Sequence, residues 1–169
     1  MIELVLGGNK SGKSDFGLEL LSRVSQPSAI LVTGKSRDLS FRSQIAAHRK
    51  SRSTAIRVVE VHTDLAGPMQ ELAASNTPLL IDSLDFWMFS LMELSEREAG
   101  KCRQDFFEVL GSWKGSNVIL ISTEMGLGPL AFDGKVRAFA RDLGQLNREI
   151  ASLCTSVYLV VAGLAQKLK

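Results

Sequence analysis

Eight consecutive residues constrain this chain more than anything else in it: Gly7-Gly8-Asn9-Lys10-Ser11-Gly12-Lys13-Ser14. They fit G-x-x-x-x-G-K-S in full, with the aliphatic run Ile2–Leu6 before them and an amphipathic stretch after them. A strand, a glycine loop and a helix in that order form a phosphate-binding P-loop. Glycine lets the backbone curl so that successive N–H groups point inward at phosphate oxygens, and the helix N-terminus adds partial positive charge. In such a loop Lys13 bridges the terminal phosphates of a nucleoside triphosphate, and the Ser14 hydroxyl is placed to ligate Mg²⁺.

The loop requires a parallel sheet behind it, and the rest of the chain reads that way. Apolar or β-branched runs at Ile2–Leu6, Ala29–Thr33, Ile56–Val61, Pro78–Asp82, Asn117–Ser122 and Ser156–Val161 predict strands. Several are apolar almost throughout, as strands covered on both faces are. Helices are predicted over Ser14–Val24, Asp38–Lys50, Leu65–Ala74 and Asp133–Leu153, with Ser83–Leu94 and Glu96–Leu110 as one broken helix or two. The alternation predicts an α/β fold: a three-layer P-loop nucleotide-binding domain with a mostly parallel sheet. The length of 169 residues suits one domain spanning 1–169. Three glycines and a proline between Met125 and Gly134 mark the best candidate for a long mobile loop.

Composition limits the function classes. A net charge of +2 gives little support to a nucleic-acid partner, and no apolar run reaches the roughly 18 residues of a membrane span. The first residues lack the form of a signal peptide. Two cysteines, Cys102 and Cys154, are too few for a disulfide framework, and a reducing, cytoplasmic setting is expected.

A triphosphate loop needs a second magnesium partner at the end of a neighbouring strand, and Leu79-Leu80-Ile81-Asp82 supplies a carboxylate there. Asp82 also has a plainer use, as the cap of the helix that follows. Between the second and third strands lies a run of cations: Lys35, Arg37, Arg42, Arg49, Lys50, Arg52 and Arg57. Such a run suits a polyphosphate, or is simply a solvated helix face. His48 stands within it. Neighbouring cations keep an imidazole neutral and nucleophilic, able to attack phosphorus, although a lone histidine is more often structural. His62 is assigned the structural role.

Taken together, these motifs resemble the bifunctional adenosylcobinamide kinase / adenosylcobinamide-phosphate guanylyltransferase family of cobalamin biosynthesis. The resemblance runs from Met1 to Lys169. It rests on the loop Gly7–Ser14, the strand ending in Thr33, and His48 fifteen residues later in Gln44-Ile45-Ala46-Ala47-His48. Glu60 in the third strand, Asp82 with Trp87 in the following helix, and Thr123-Glu124-Met125-Gly126-Leu127-Gly128 continue it. Arg137, Phe139, Gly144 and Asn147 match a later motif in part, whereas Ala140 and Arg141 stand where the family has arginine and aspartate.

The resemblance implies two reactions: phosphorylation of adenosylcobinamide by ATP or GTP, then transfer of GMP from GTP through a guanylylated His48. It implies nucleotide contacts from Gly7 through Ser14, Thr33, Arg49, Arg52, Glu60, Asp82 and Glu124, with catalysis by His48 and Lys13 and with Mg²⁺ on Ser14 and Asp82. Arg49, Lys50 and Arg52 would offset charge on pyrophosphate, while Glu60 and Glu124 would orient the guanine or the metal. On plainer grounds Glu60 is an edge-strand solvent residue, Glu124 sits in a tight loop, and Phe139 belongs to the core. The resemblance further implies a corrinoid substrate and a homotrimer. Two other classes remain open: a small-molecule P-loop kinase with no covalent step, and a nucleic-acid-associated P-loop ATPase.

Overall fold

The computed structural model describes residues 1–24, 27–33, 56–129 and 131–169. Among these residues, a seven-stranded sheet runs in the order β3-β2-β4-β5-β1-β6-β7. The strands are β1 (Ile2–Gly7), β2 (Ser28–Thr33), β3 (Ile56–Val61), β4 (Leu79–Asp82), β5 (Val118–Thr123), β6 (Ser156–Val161) and β7 (Leu164–Lys167). All neighbours are parallel except β6 and β7. The α/β class and the mostly parallel sheet expected from the sequence are therefore present.

Side-chain alternation along the strands builds two cores, one on each face. Leu4, Leu31, Leu79, Ile81, Val118 and Leu120 point to one side, where Trp87, Phe106, Leu143 and Leu146 meet them. These partners come from α3 (Leu84–Leu91), α4 (Glu96–Gly111) and α5 (Gly134–Leu153), with Met69 added from α2 (Ala66–Ala74). Val5, Ile30, Leu80, Ile119 and Ile121 point to the other side, under Leu18 and Leu21 of α1 (Lys13–Ser22). The central strands β1, β2, β4 and β5 are buried along most of their length, which is why their sequences are almost wholly apolar.

The stretch after Asp82 is two helices rather than one broken helix. Ser95 ends any continuation: its hydroxyl accepts from the Glu98 N–H and the Glu98 carboxylate accepts from the Ser95 N–H, a complete capping box. Asp133 starts α5 by accepting from the N–H groups of Lys135 and Val136 at 2.6 and 3.1 Å. The helix expected over residues 38–50 lies outside the described residues. Strand β7 was not anticipated, because its four residues are too short to show a period. It pairs antiparallel with β6 across a two-residue turn, Ala162-Gly163, with both residues at positive φ.

Candidate active site

The parallel strands deliver their C-terminal ends to one edge of the sheet, where ligands of such folds bind. There Gly7 ends β1 and Lys13 begins α1, and the loop between them borders a cavity of about 750 Å³. Asn9, Lys10, Ser11, Gly12, Lys13 and Ser14 contribute to its walls, opposite Asp82, Asp85, Phe86 and Phe89. Gly12 caps the helix at φ 95°, and Lys10 also has positive φ, so the loop takes the curled path that sequence reasoning expected. The Lys13 ammonium folds back on the loop and donates to the Gly8 carbonyl at 3.2 Å.

Asp82 comes from the end of β4, which lies between β2 and β5 and is separated from β1 by β5 alone. The residue at the N-cap of α3 is Ser83, which makes no side-chain capping bond, so Asp82 is not used as a helix cap. Its Oδ2 is enclosed and has no hydrogen-bond partner among the described residues. Burial pushes the Asp82 carboxyl up from 3.8 to about 6, against the hydrogen bond with Ser14; the charge of Asp85 adds to the rise and that of Lys13 opposes it. An enclosed carboxylate oxygen beside a serine hydroxyl is a pair of hard-oxygen donors of the kind that magnesium takes together with phosphate oxygens.

Thr33 reaches the site from the end of β2 but is buried. Its hydroxyl bonds the Ser83 carbonyl and accepts from the Ser83 N–H at 2.9 Å, tying β2 to the turn that follows Asp82. Glu124 follows β5, and its carboxylate accepts from the Gly126 N–H at 2.6 Å, holding its own loop. Its N–H donates to the Gly7 carbonyl at 3.1 Å, fixing the start of the phosphate loop. Glu60 is exposed on the edge strand β3. His48, Arg49 and Arg52, with the rest of the cationic run before Arg57, lie outside the described residues. His62 pairs with Glu93 at 3.4 Å on the surface.

One site residue, Asp85, was not singled out from the sequence. Asp85 lies in the first turn of α3, three residues after Asp82; its Oδ2 accepts from the Thr123 hydroxyl at 3.0 Å, and its Oδ1 is enclosed without a partner among the described residues. Asn147 of α5 donates to the Thr123 carbonyl at 3.1 Å. Phe86 and Phe89 are about half exposed and line the cavity, whereas Trp87 and Met88 between them are buried. The signal was present in the spacing: on a helix, residues three apart share a face, so Phe86 and Phe89 turn together to the cavity and Trp87 and Met88 to the core. In the loop before α5, Arg137 donates to the carbonyls of Ala131 and Phe132 at 2.8 and 2.6 Å.

Comparisons with known proteins bear on the fold and on the family. In shape the chain is similar to a prototypical ATPase of the type III secretion system of pathogenic bacteria, with TM-score 0.60 and 10% identity over 98% of this chain and 57% of that one. It is equally similar to the assembled ATPase EscN of enteropathogenic Escherichia coli, with TM-score 0.60 and 13% identity over 95% of this chain and 43% of that one. The chain spans about half the length of those ATPases, and the likeness is one of fold. In sequence it is 32% identical to the bifunctional adenosylcobalamin biosynthesis protein CobP of Pseudomonas aeruginosa, covering 100% of this chain and 98% of that protein. It is 26% identical to the bifunctional adenosylcobalamin biosynthesis protein CobU of Escherichia coli K12, with both chains covered in full. The model of the CobU family, cobinamide kinase / cobinamide phosphate guanyltransferase, matches residues 3–168, and the chain belongs to that family.

Proposed function

We propose that this enzyme phosphorylates adenosylcobinamide with ATP or GTP and then transfers GMP from GTP to adenosylcobinamide phosphate, giving adenosyl-GDP-cobinamide. One observation carries the reading: a phosphate loop and an enclosed carboxylate face each other across one cavity, in a chain that matches the CobU family model over residues 3–168.

In the kinase step the inward N–H groups of Gly7–Ser14 bind the phosphates, and Lys13 leaves the Gly8 carbonyl to bridge the terminal ones. Ser14 and Asp82 would hold Mg²⁺, which supplies neutralisation of phosphate charge when bound. The work of the site is positioning and electrostatics. In the second step a nitrogen of His48 attacks the α-phosphorus of GTP. The N–P bond forms as the P–O bond to pyrophosphate breaks. A phosphate oxygen of the corrinoid then takes the GMP and restores the imidazole. Arg49 and Arg52 offset the charge of the departing pyrophosphate. Glu60 and Glu124 remain candidates for orienting guanine or metal, with Glu124 also holding its own loop. Thr33 serves the nucleotide indirectly, through the Ser83 turn. The reading includes one domain over residues 1–169, a homotrimer and a cytoplasmic setting.

The test is the intact mass of the protein after incubation with GTP and Mg²⁺, beside a His48→Ala control. A gain of one GMP that acid removes and the variant lacks is expected. Nucleotide binding with no adduct would reduce the chain to a P-loop kinase without a covalent step.

A further inference from the structure

A loop that aims its N–H groups inward at an anion must turn its carbonyls outward, and each outward carbonyl needs a donor of its own. The Gly8 carbonyl is served from within the loop, by the Ser11 N–H at 3.2 Å and by the Lys13 ammonium. Two others take donors from distant segments: Glu124 N–H serves Gly7, and the N–H of Gly163 serves Ser11 at 2.8 Å. The last of these comes from the tip of the hairpin that joins β6 to β7.

The approach is close on two counts. A Cβ on Gly12 would lie 3.1 Å from the Cα of Gly163, and a Cβ on Gly7 would lie 2.7 Å from the Val160 carbonyl oxygen. The tip reaches the loop because β6 runs parallel to β1 with Val160 opposite Gly7, so the chain turns immediately beyond the start of the loop. The turn itself is tight. Ala162 and Gly163 have φ 52° and 79°, the left-handed region that a two-residue hairpin demands. The four residues of β7 are all exposed, so the strand adds almost nothing to the core.

We infer that the β6–β7 hairpin is a brace for the phosphate loop and that Gly163 is a positioning residue for the triphosphate. Its N–H holds the Ser11 carbonyl outward, and its left-handed backbone allows the contact with Gly12. The inference rests on the reading of Gly7–Ser14 as the nucleotide site. It adds that nucleotide affinity depends on a turn about 150 residues further along the chain, in a segment where no sequence motif points to phosphate.

The test is the Kd of a fluorescent GTP analogue with Mg²⁺, measured well below the unfolding transition, for the wild type and three variants. Gly163→Val keeps the N–H but rejects positive φ, and is expected to weaken binding roughly ten-fold, or 1.4 kcal/mol. Gly163→Asn tolerates the left-handed region and has open space for its Cβ, so it is expected to bind within about two-fold of wild type. Ile150→Val, in the core of α5 and away from the loop, is expected to lower Tm and leave Kd unchanged. Equal affinity in Gly163→Val and wild type would overturn the brace while leaving the nucleotide site in place. Equal weakening in Gly163→Asn and Gly163→Val would overturn the role assigned to the left-handed backbone. A wild type that binds no nucleotide would overturn the reading of the loop, and the brace with it.

Discussion

The ring of Phe89 lies flat on that of Phe139, with centroids 4.1 Å apart and planes 11° from parallel. One face of Phe89 is thus committed to α5, and the other borders the cavity that holds the phosphate loop. Phe139 is buried in the main core, so it acts as the fixed half of the pair.

Replacing Phe139 by leucine should therefore do two things. Loss of the stacked contact and of ring volume should cost about 1–2 kcal/mol, read by urea denaturation. Release of Phe89, which lines the cavity, should raise KM for the proposed corrinoid acceptor more than Kd for the nucleotide. A change in stability with both constants unaltered would limit the pair to packing.

Asp82 gives a pH dependence with a definite sign. A carboxyl raised from 3.8 to about 6 binds its proton more tightly in the folded state than in the unfolded one. On this account the ligand-free protein is most stable below the lower value, loses stability between the two, and levels off above the upper. The total is about 3 kcal/mol. Asp82→Asn should remove most of that slope, so its stability advantage over wild type should grow from pH 4 to pH 7. A gap that stays constant across that range would show that Asp82 ionises freely.

Ala162 occupies the left-handed region with a side chain, at φ 52°. Ala162→Gly should relieve strain and stabilise the hairpin by about 1 kcal/mol, less the extra chain entropy of glycine. Thermal unfolding followed by circular dichroism measures it; a lower Tm would mean that the entropy term dominates.

The two thiols should differ in reactivity. Burial pushes Cys154 up to about 12, and it raises the half-buried Cys102 as well. With a disulfide reagent at pH 8, Cys102 should react slowly and Cys154 only on unfolding, as mass analysis of the labelled peptides would show. Prompt labelling of Cys154 in the native protein would contradict its burial.

The phosphate loop, the strand–helix alternation and the carboxylate at the end of β4 were legible because each is local. Eight contiguous residues specify the loop, and a run of apolar residues ending in Asp82 specifies a strand tip. The family motifs could be read for the same reason, as residue types at fixed spacing. Side-chain roles at the site were less legible. The family resemblance implies nucleotide contacts for Thr33 and Glu124. The folded chain engages the Thr33 hydroxyl with Ser83 and the Glu124 carboxylate with Gly126.

What the sequence by itself determined is therefore the fold class, the loop and the chemistry the loop calls for, since backbone curl and helix polarity follow from neighbouring residues. The order of strands, the placing of Asp85 against Thr123, the pairing of Phe89 with Phe139 and the bond from Gly163 to Ser11 were decided only by the tertiary structure. Each joins residues far apart along the chain, and hydrogen bonds and ring stacking act over a few ångströms, a distance that only the folded sheet closes.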